Sequence, residues 1–279
     1  MALGLAHTTV SRRLKALEEK LGARLLERHG AHVTLTPDGQ AALGEATRIE
    51  EAVRAITQRI QGADTRLSGE VRVLLSEGLA NYWLIPRMSQ FITNNTAVSI
   101  NWNTVGALRA AAETEEKNLR GEIDIAIYWW RPTSVNVVAR KLGNVHYSIF
   151  TVRAYVDRYG LPNSLEDLAV HRLLQFNGYE LNRGLKPWND LVTKLGASMR
   201  VGNTTAADGI LRTGEYVTLL PDYAMNVGSD VLVRVPAELN ITLELWLAYH
   251  ADKRGIVRLR SVAAEIARLA KADRGIWLS

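Results

Sequence analysis

The chain of 279 residues contains no cysteine, which excludes disulfides, thiolate metal sites and thiol nucleophiles. It has no run approaching the roughly 18 consecutive apolar residues that a membrane span needs. Its start, Met1-Ala2-Leu3-Gly4-Leu5-Ala6-His7, lacks the basic n-region and apolar core of a signal peptide. No G-x-S-x-G, P-loop, G-x-G-x-x-G or clustered metal ligands occur, so an enzyme is the weakest functional class. No tandem repeat or low-complexity tract is present. These absences together predict a cytoplasmic protein with no cofactor and no membrane partner.

What is present is an ordinary globular composition, 47% hydrophobic with a formal net charge of +5. The length predicts two or three globular units. The sequence pI of about 9.5 permits a polyanionic partner without requiring one. The basic excess is concentrated near the start. Residues 7–29 hold six Lys/Arg (Arg12, Arg13, Lys15, Lys20, Arg24, Arg28) against three Glu (Glu18, Glu19, Glu27), a balance of +3. A second basic run, from Lys253 to Arg274, is expected to be a solvated helix face.

Val10, Leu14, Leu17 and Leu21 recur at spacings of 4, 3 and 4, one face of a helix. Thr8 or Thr9 is expected to cap its start, and Gly22 to end it. Arg24–Arg28 and Val33–Thr36 are short extended pieces flanking His29-Gly30-Ala31-His32, which predicts a hairpin. Thr36-Pro37 then marks a helix start. Leu43, Ala46, Ile49, Val53, Ile56 and Ile60 form one narrow apolar stripe along it, a pattern suited to a coiled-coil partner. Residues 63–69 are expected to be a hinge linker.

The remainder alternates strands and helices. Strands are expected at Val71–Leu75, Val98–Trp102, Ile123–Ile127, Tyr147–Val152, Leu173–Phe176, Met199–Val201, Tyr216–Leu220 and Leu243–Tyr249. Helices are expected at Tyr82–Thr93, Ala107–Arg120 and Ile256–Ala270, with a helix start at Pro162–Leu168. This alternation predicts parallel sheets covered on both faces, long enough for two subdomains.

The run Ala6-His7-Thr8-Thr9-Val10-Ser11-Arg12-Arg13-Leu14-Lys15-Ala16-Leu17-Glu18-Glu19-Lys20-Leu21-Gly22-Ala23-Arg24-Leu25-Leu26-Glu27-Arg28 resembles the recognition helix and wing of LysR-type transcriptional regulators. Val33-Thr34-Leu35-Thr36-Pro37-Asp38-Gly39 is similar to the family's wing exit and linker-helix start, and Gly121-Glu122-Ile123-Asp124-Ile125-Ala126-Ile127 to a strand of its effector domain. Tyr159-Gly160-Leu161-Pro162, Asp167-Leu168-Ala169 and His171-Arg172-Leu173-Leu174 resemble the opening of its second effector subdomain.

The resemblance implies an α/β chain with an incomplete winged helix-turn-helix over residues 1–36 and a linker and dimerisation helix over 37–62. A two-subdomain, periplasmic-binding-protein-like effector domain follows over 70–279. Its subdomain I is expected at about 70–142 and 240–279, and subdomain II at about 143–239. Family members begin with a complete three-helix winged domain, whereas this chain is expected to open inside the second helix, leaving Val10, Leu14, Leu17 and Leu21 without the floor they pack on.

The resemblance also implies partners: double-stranded promoter DNA, a small-molecule effector, and further copies of the chain in a homodimer or homotetramer. His7, Thr8, Ser11, Arg12 and Lys15 would face the major groove and Arg28 a phosphate. The effector cleft would lie at the carboxyl ends of strands, at Ser76, Glu77, Gly78, Thr104, Val105, Tyr128, Trp129, Phe176, Asn203 and Pro221. Ser76 and Thr104 would contribute to an anion pocket, and Tyr128-Trp129-Trp130 are either a wall for an aromatic effector or structural packing. Glu77 is unusual beside a carboxylate-binding pocket; it either points away or favours a ligand with a donor or positive charge. His29 and His32 form a surface pair at the hairpin tip rather than a metal site. His146, His171 and His250 are scattered, and Glu122 and Asp124 are expected to be structural. The competing readings are a remnant that oligomerises and binds ligand without binding DNA, and a solute-binding protein.

Overall fold

The computed structural model describes residues 7–29, 32–60, 67–106, 119, 121–226 and 231–279. The chain divides into two compact units, Met1–Gly62 and Ala63–Ser279. No described helix is long and apolar enough to cross a membrane.

The first unit contains helix α1 (His7–Leu21), a hairpin of β1 (Leu26–His29) and β2 (His32–Leu35), and the 24-residue helix α2 (Pro37–Ile60). Helix α1 is described from His7, so Thr8 and Thr9 lie within it rather than capping its start. Gly22, at φ +66°, ends it as expected, in a left-handed conformation open to glycine. Glu18 then reaches out of the helix and its carboxylate accepts from the Leu25 and Leu26 N–H groups at 2.7 and 3.2 Å. Helix and hairpin are thus tied by one side chain.

The junction into α2 is the buried centre of this unit. Thr36 Oγ1 accepts from the Gly39 N–H (2.9 Å), an N-cap, and donates to the Arg24 carbonyl (2.6 Å). The Thr36 N–H donates to the Leu25 carbonyl at 3.0 Å. Gly39 is required by space: a Cβ there would lie 2.0 Å from the Leu25 carbonyl oxygen. The apolar stripes face outward, with Leu17 44%, Leu21 54% and Ile49 66% exposed. The side chains of Ile56 and Ile60 fall outside the described residues.

The second unit is built on a nine-stranded sheet in the order β4-β3-β5-β11-β6-β9-β7-β8, with β10 also on β6. Its strands are β3 (Gly69–Ser76), β4 (Val98–Val105), β5 (Ile125–Tyr128), β6 (Val137–Val152), β7 (Leu173–Phe176), β8 (Met199–Val201), β9 (Val217–Pro221), β10 (Leu232–Arg234) and β11 (Ile241–His250). β3 pairs in parallel with β4 and β5, and β7 with β8 and β9. These two parallel sets form the two lobes expected.

The sheet is not parallel throughout, however. β6 and β11 run antiparallel to each other, β11 is antiparallel to β5, and β6 is antiparallel to β9. At 16 residues β6 extends on the order of 50 Å and runs through both lobes. It pairs with β11 up to Tyr147, and from Tyr147 onward with β9. Alternation of elements is blind to such a shared strand, because it carries no helix of its own.

Helix α3 begins as Glu77–Leu79, passes through a π turn at Ala80–Leu84 and continues as Ile85–Asn94, starting earlier than the apolar periodicity predicts. The second unit also holds α4 (Arg153–Tyr159), α5 (Lys186–Leu195), α6 (Thr204–Arg212) and α7 (Val257–Ala272). Residues 162–168 hold a turn, in which Asp167 accepts from the Asn163 and Ser164 N–H groups, leading into the 3-10 turn Asp167–Val170. The helix expected at Ala107–Arg120 falls outside the described residues, apart from the buried helical residue Leu119.

Two carboxylates, the half-buried Asp124 and the buried Asp273, tie elements distant in sequence. Asp273 accepts from Trp83 Nε1 (2.7 Å) and Arg87 (2.8 Å), fixing α3 against the end of α7. Asp124 accepts from the Arg72 N–H (2.9 Å) and from Lys253 Nζ (3.0 Å), and Arg72 also donates to the Gly121 carbonyl (2.7 Å). This is the structural role expected of Asp124, and it explains the Gly121–Ile127 motif. Burial raises the Asp124 carboxyl, but the charges of Lys253 and Arg72 outweigh it and hold it below the usual value.

Gly39→Ala should force the Leu25 carbonyl away and break its bond to Thr36. Overpacking of this kind costs about 2 kcal/mol, and amide exchange at Thr36 should rise; unchanged protection would contradict the reading. Asp124→Asn should cost about 3 kcal/mol, because Lys253 and Arg72 lose their counter-charge. With a depressed folded-state pKa, the wild-type contribution is present above about pH 4 and is lost as pH falls through the folded value. Urea unfolding against pH should therefore show a flatter acid limb in the variant.

Candidate functional site

An aromatic pocket lies where the two lobes of the second unit meet. It is a partly open cleft of about 420 Å³. Ser76 and Gly78 line it from the end of β3 and the start of α3, Tyr82 from the π turn and Trp129 from just past β5. Tyr147 lines it from β6, at the residue where pairing passes from one lobe to the other. Phe176, Tyr179, Thr204, Leu220, Pro221, Tyr223 and Ala224 close it from the second lobe.

The rings support one another. Phe176 stacks on Tyr179 at 5.1 Å between centroids, Trp129 meets Tyr147 edge-on at 5.9 Å, and Trp129 and Tyr223 lie near parallel at 6.3 Å. Trp129 Nε1 donates to Ser76 Oγ at 3.3 Å, and the Tyr179 hydroxyl donates to the Leu219 carbonyl at 3.3 Å. Burial pushes the Tyr147, Tyr179 and Tyr223 phenols well above their ordinary value, and mutual proximity adds to the shift at Tyr147 and Tyr223. No charged side chain lines the pocket among the described residues.

The lobes approach closely. A Cβ at Gly78 would lie 3.1 Å from Thr204 Oγ1, and one at Gly106 would lie 2.8 Å from the Gly202 carbonyl oxygen. Glu77 bridges them. Its carboxylate accepts from the Thr204 N–H (3.0 Å), the Thr205 N–H (3.3 Å) and the Thr205 hydroxyl (2.6 Å).

Of the cleft residues expected from the sequence, Ser76, Gly78, Trp129, Phe176 and Pro221 line the pocket. Glu77 points across to α6. Asn203 caps that helix through the Ala206 N–H (2.8 Å). Thr104 is exposed, so it does not join Ser76 in an anion pocket. Val105 and Tyr128 instead pack with a second cluster around Leu74, Leu119 and Ala248, Tyr128 because it faces away from its neighbour Trp129. The chemistry-bearing residues missed are Tyr82, Tyr147, Tyr179 and Tyr223. Tyr223 follows directly after the β9 end, where a search for ligand contacts could have found it.

In the first unit, Arg12 and Lys15 are exposed on α1 and Ser11 is half-buried. The side chains of His7, Thr8, Arg28, His29 and His32 lie outside the described residues. Backbone pairing places His29 opposite His32. The other histidines are dispersed: His146 bonds to Thr242 and Ser279, His171 to Tyr155, and His250 accepts from the Asp252 N–H.

Residues 64–271 match the family described as the LysR substrate binding domain, and residues 1–40 match the bacterial regulatory helix-turn-helix protein, lysR family. The chain belongs to the LysR family. An HTH-type transcriptional regulator of Xanthomonas campestris pv. campestris is 31% identical to this LysR-family chain over 177 residues, covering 62% of the chain and 48% of that regulator. The chain thus spans about half the length of that curated relative. The HTH-type transcriptional regulator CrgA of Neisseria meningitidis is 26% identical over 267 residues, 92% of this chain and 86% of CrgA. The full-length structure of the Vibrio cholerae virulence activator AphB, a member of the LTTR protein family, superposes with a TM-score of 0.60 at 19% identity, covering 95% of this chain and 90% of AphB. That likeness shows the fold.

The raised phenols predict an alkaline limit. Their neutral forms are favoured by folding, so this contribution is present below about pH 10 and is lost as pH rises through the folded-state values. Ultraviolet titration should leave Tyr147, Tyr179 and Tyr223 un-ionised until the protein unfolds. Phenylalanine at all three positions should move the alkaline unfolding midpoint upward.

Proposed function

We propose that this chain acts as a LysR-type transcriptional regulator that binds double-stranded promoter DNA and responds to a small-molecule effector. The observation that carries this reading is the pairing of an exposed basic helix and hairpin in one unit with an aromatic inter-lobe pocket at strand ends in the other. His7, Thr8, Ser11, Arg12 and Lys15 would enter the major groove, and Arg28 would hold a phosphate. Residues 37–62 would serve as the linker and dimerisation helix and 63–69 as the hinge. Self-association into a homodimer or homotetramer is supported by the exposed stripe of Leu43, Ile49 and Val53. The effector would contact Ser76, Gly78, Trp129, Phe176 and Pro221. This reading assigns the chain no catalytic role and no cofactor, and places it in the cytoplasm.

A second reading, self-association and ligand binding without DNA binding, draws on the exposure of Val10, Leu17 and Leu21 on α1. One titration separates the two. Binding to a fragment of the adjacent promoter should weaken steeply with salt. Arg12→Ala should lose about tenfold in affinity for the cognate sequence, and Arg28→Ala should weaken all sequences alike. Wild-type protein that shifts no fragment at low salt, while remaining oligomeric by light scattering, selects the second reading.

A further inference from the structure

We infer that Glu77 sets the charge preference of the cleft, so that the pocket takes a planar aromatic ligand that is uncharged or cationic and rejects one carrying a carboxylate. This rests on the inter-lobe pocket being the effector site.

The amino end of α6 is where an open cleft would ordinarily capture an anionic group, since its backbone N–H groups lack intrahelical acceptors. Here every such group is occupied. The Thr204 and Thr205 N–H groups and the Thr205 hydroxyl donate to Glu77, and the Ala206 N–H donates to Asn203 Oδ1. The Ala207 N–H donates to the Asn203 carbonyl at 3.2 Å. A carboxylate from the chain itself therefore holds the position that a ligand carboxylate would seek, and it holds it from the opposite lobe.

The pocket provides no charged replacement: its donors are the neutral hydroxyls of Ser76, Tyr82, Tyr147, Thr204 and Tyr223, and no Lys, Arg or His lines the cavity among the described residues. In the adjoining cleft, Arg212 donates to its neighbour Asp208 at 2.7 Å. At the shared wall the Tyr82 phenol is raised by burial first and by Asp208 next, with Arg212 opposing and Glu77 adding to the rise. An anion entering would lose its water and meet only neutral hydroxyl donors with no counter-charge, which leaves much of its desolvation uncompensated. A neutral ring loses little and gains the faces of Trp129, Tyr147 and Phe176. A cationic ring gains those faces and the nearby carboxylates as well.

Calorimetric titration of the full chain with benzamide, benzylamine and benzoate tests this. Wild-type protein should bind benzamide and benzylamine at least about tenfold more tightly than benzoate. Glu77→Ala vacates the α6 amino end, so benzoate should gain about tenfold while benzylamine weakens. Glu77→Gln keeps an acceptor for the Thr205 hydroxyl and removes only the charge; it should narrow the benzoate deficit even if the alanine variant folds poorly. Benzoate binding to wild type as tightly as benzamide overturns the charge preference and leaves the pocket reading intact. A preference unchanged in both folded variants also overturns it. Failure of all three probes to bind any version overturns the pocket reading and this inference together.

Discussion

The antiparallel pairing of β6 with β11 is the constraint on which the rest of the second unit depends. One strand of 16 residues serves both lobes, exchanging β11 for β9 at Tyr147. Each lobe can therefore be built from its own parallel strands and still share one hydrogen-bonded spine. Strand ends from both lobes then converge beside that spine, and the aromatic pocket is the space they leave. Backbone pairing on either side restrains Tyr147, while Tyr82 projects from the π turn within α3 and Thr204 stands at the amino end of α6. The ligand-facing walls thus combine residues held by strands with residues held by helices.

Legibility in the sequence followed the range of the interactions involved. The helix starting at Thr36-Pro37 and the stop at Gly22 are local events, and both are seen. Gly39 is equally local, although its purpose, clearance for the Leu25 carbonyl, needs the folded hairpin. The strands after residue 70 are visible as apolar runs, and their ends point to Ser76, Trp129 and Phe176. Tyr128 lies off the pocket because a strand end leaves open which face a side chain occupies, and Thr104 and Val105 because β4 is the edge strand of the sheet. The parallel-sheet expectation missed the antiparallel spine because β6 and β11 lie far apart in sequence. Glu77 was the most informative oddity: its misfit beside a presumed anion site is visible in the chain, and its partner, the amino end of α6, appears only when the lobes are brought together.

The first unit shows a different balance. Among the described residues its buried centre consists of Leu25, Thr36 and Gly39 around one capped helix start, while Val10, Leu17 and Leu21 of α1 and Leu43, Ile49 and Val53 of α2 are exposed. A helix owes most of its stability to the burial of its apolar face, so these stripes describe surfaces that gain from being covered. The second unit is held instead by its continuous sheet and by the ion-paired carboxylates Asp124 and Asp273.

The meeting of Gly106 with Gly202, beside the residues that line the pocket, limits how the lobes can diverge. The contact there has no side chains left to shorten, so the space between the lobes cannot be enlarged by trimming at that point. Any added side chain would instead act as a wedge. New ligand shapes must therefore arise by exchange among the walls, at Trp129, Tyr147, Phe176, Tyr179 or Tyr223. Since these rings also hold one another, a lineage altering one of them would be expected to acquire compensating changes in its neighbours.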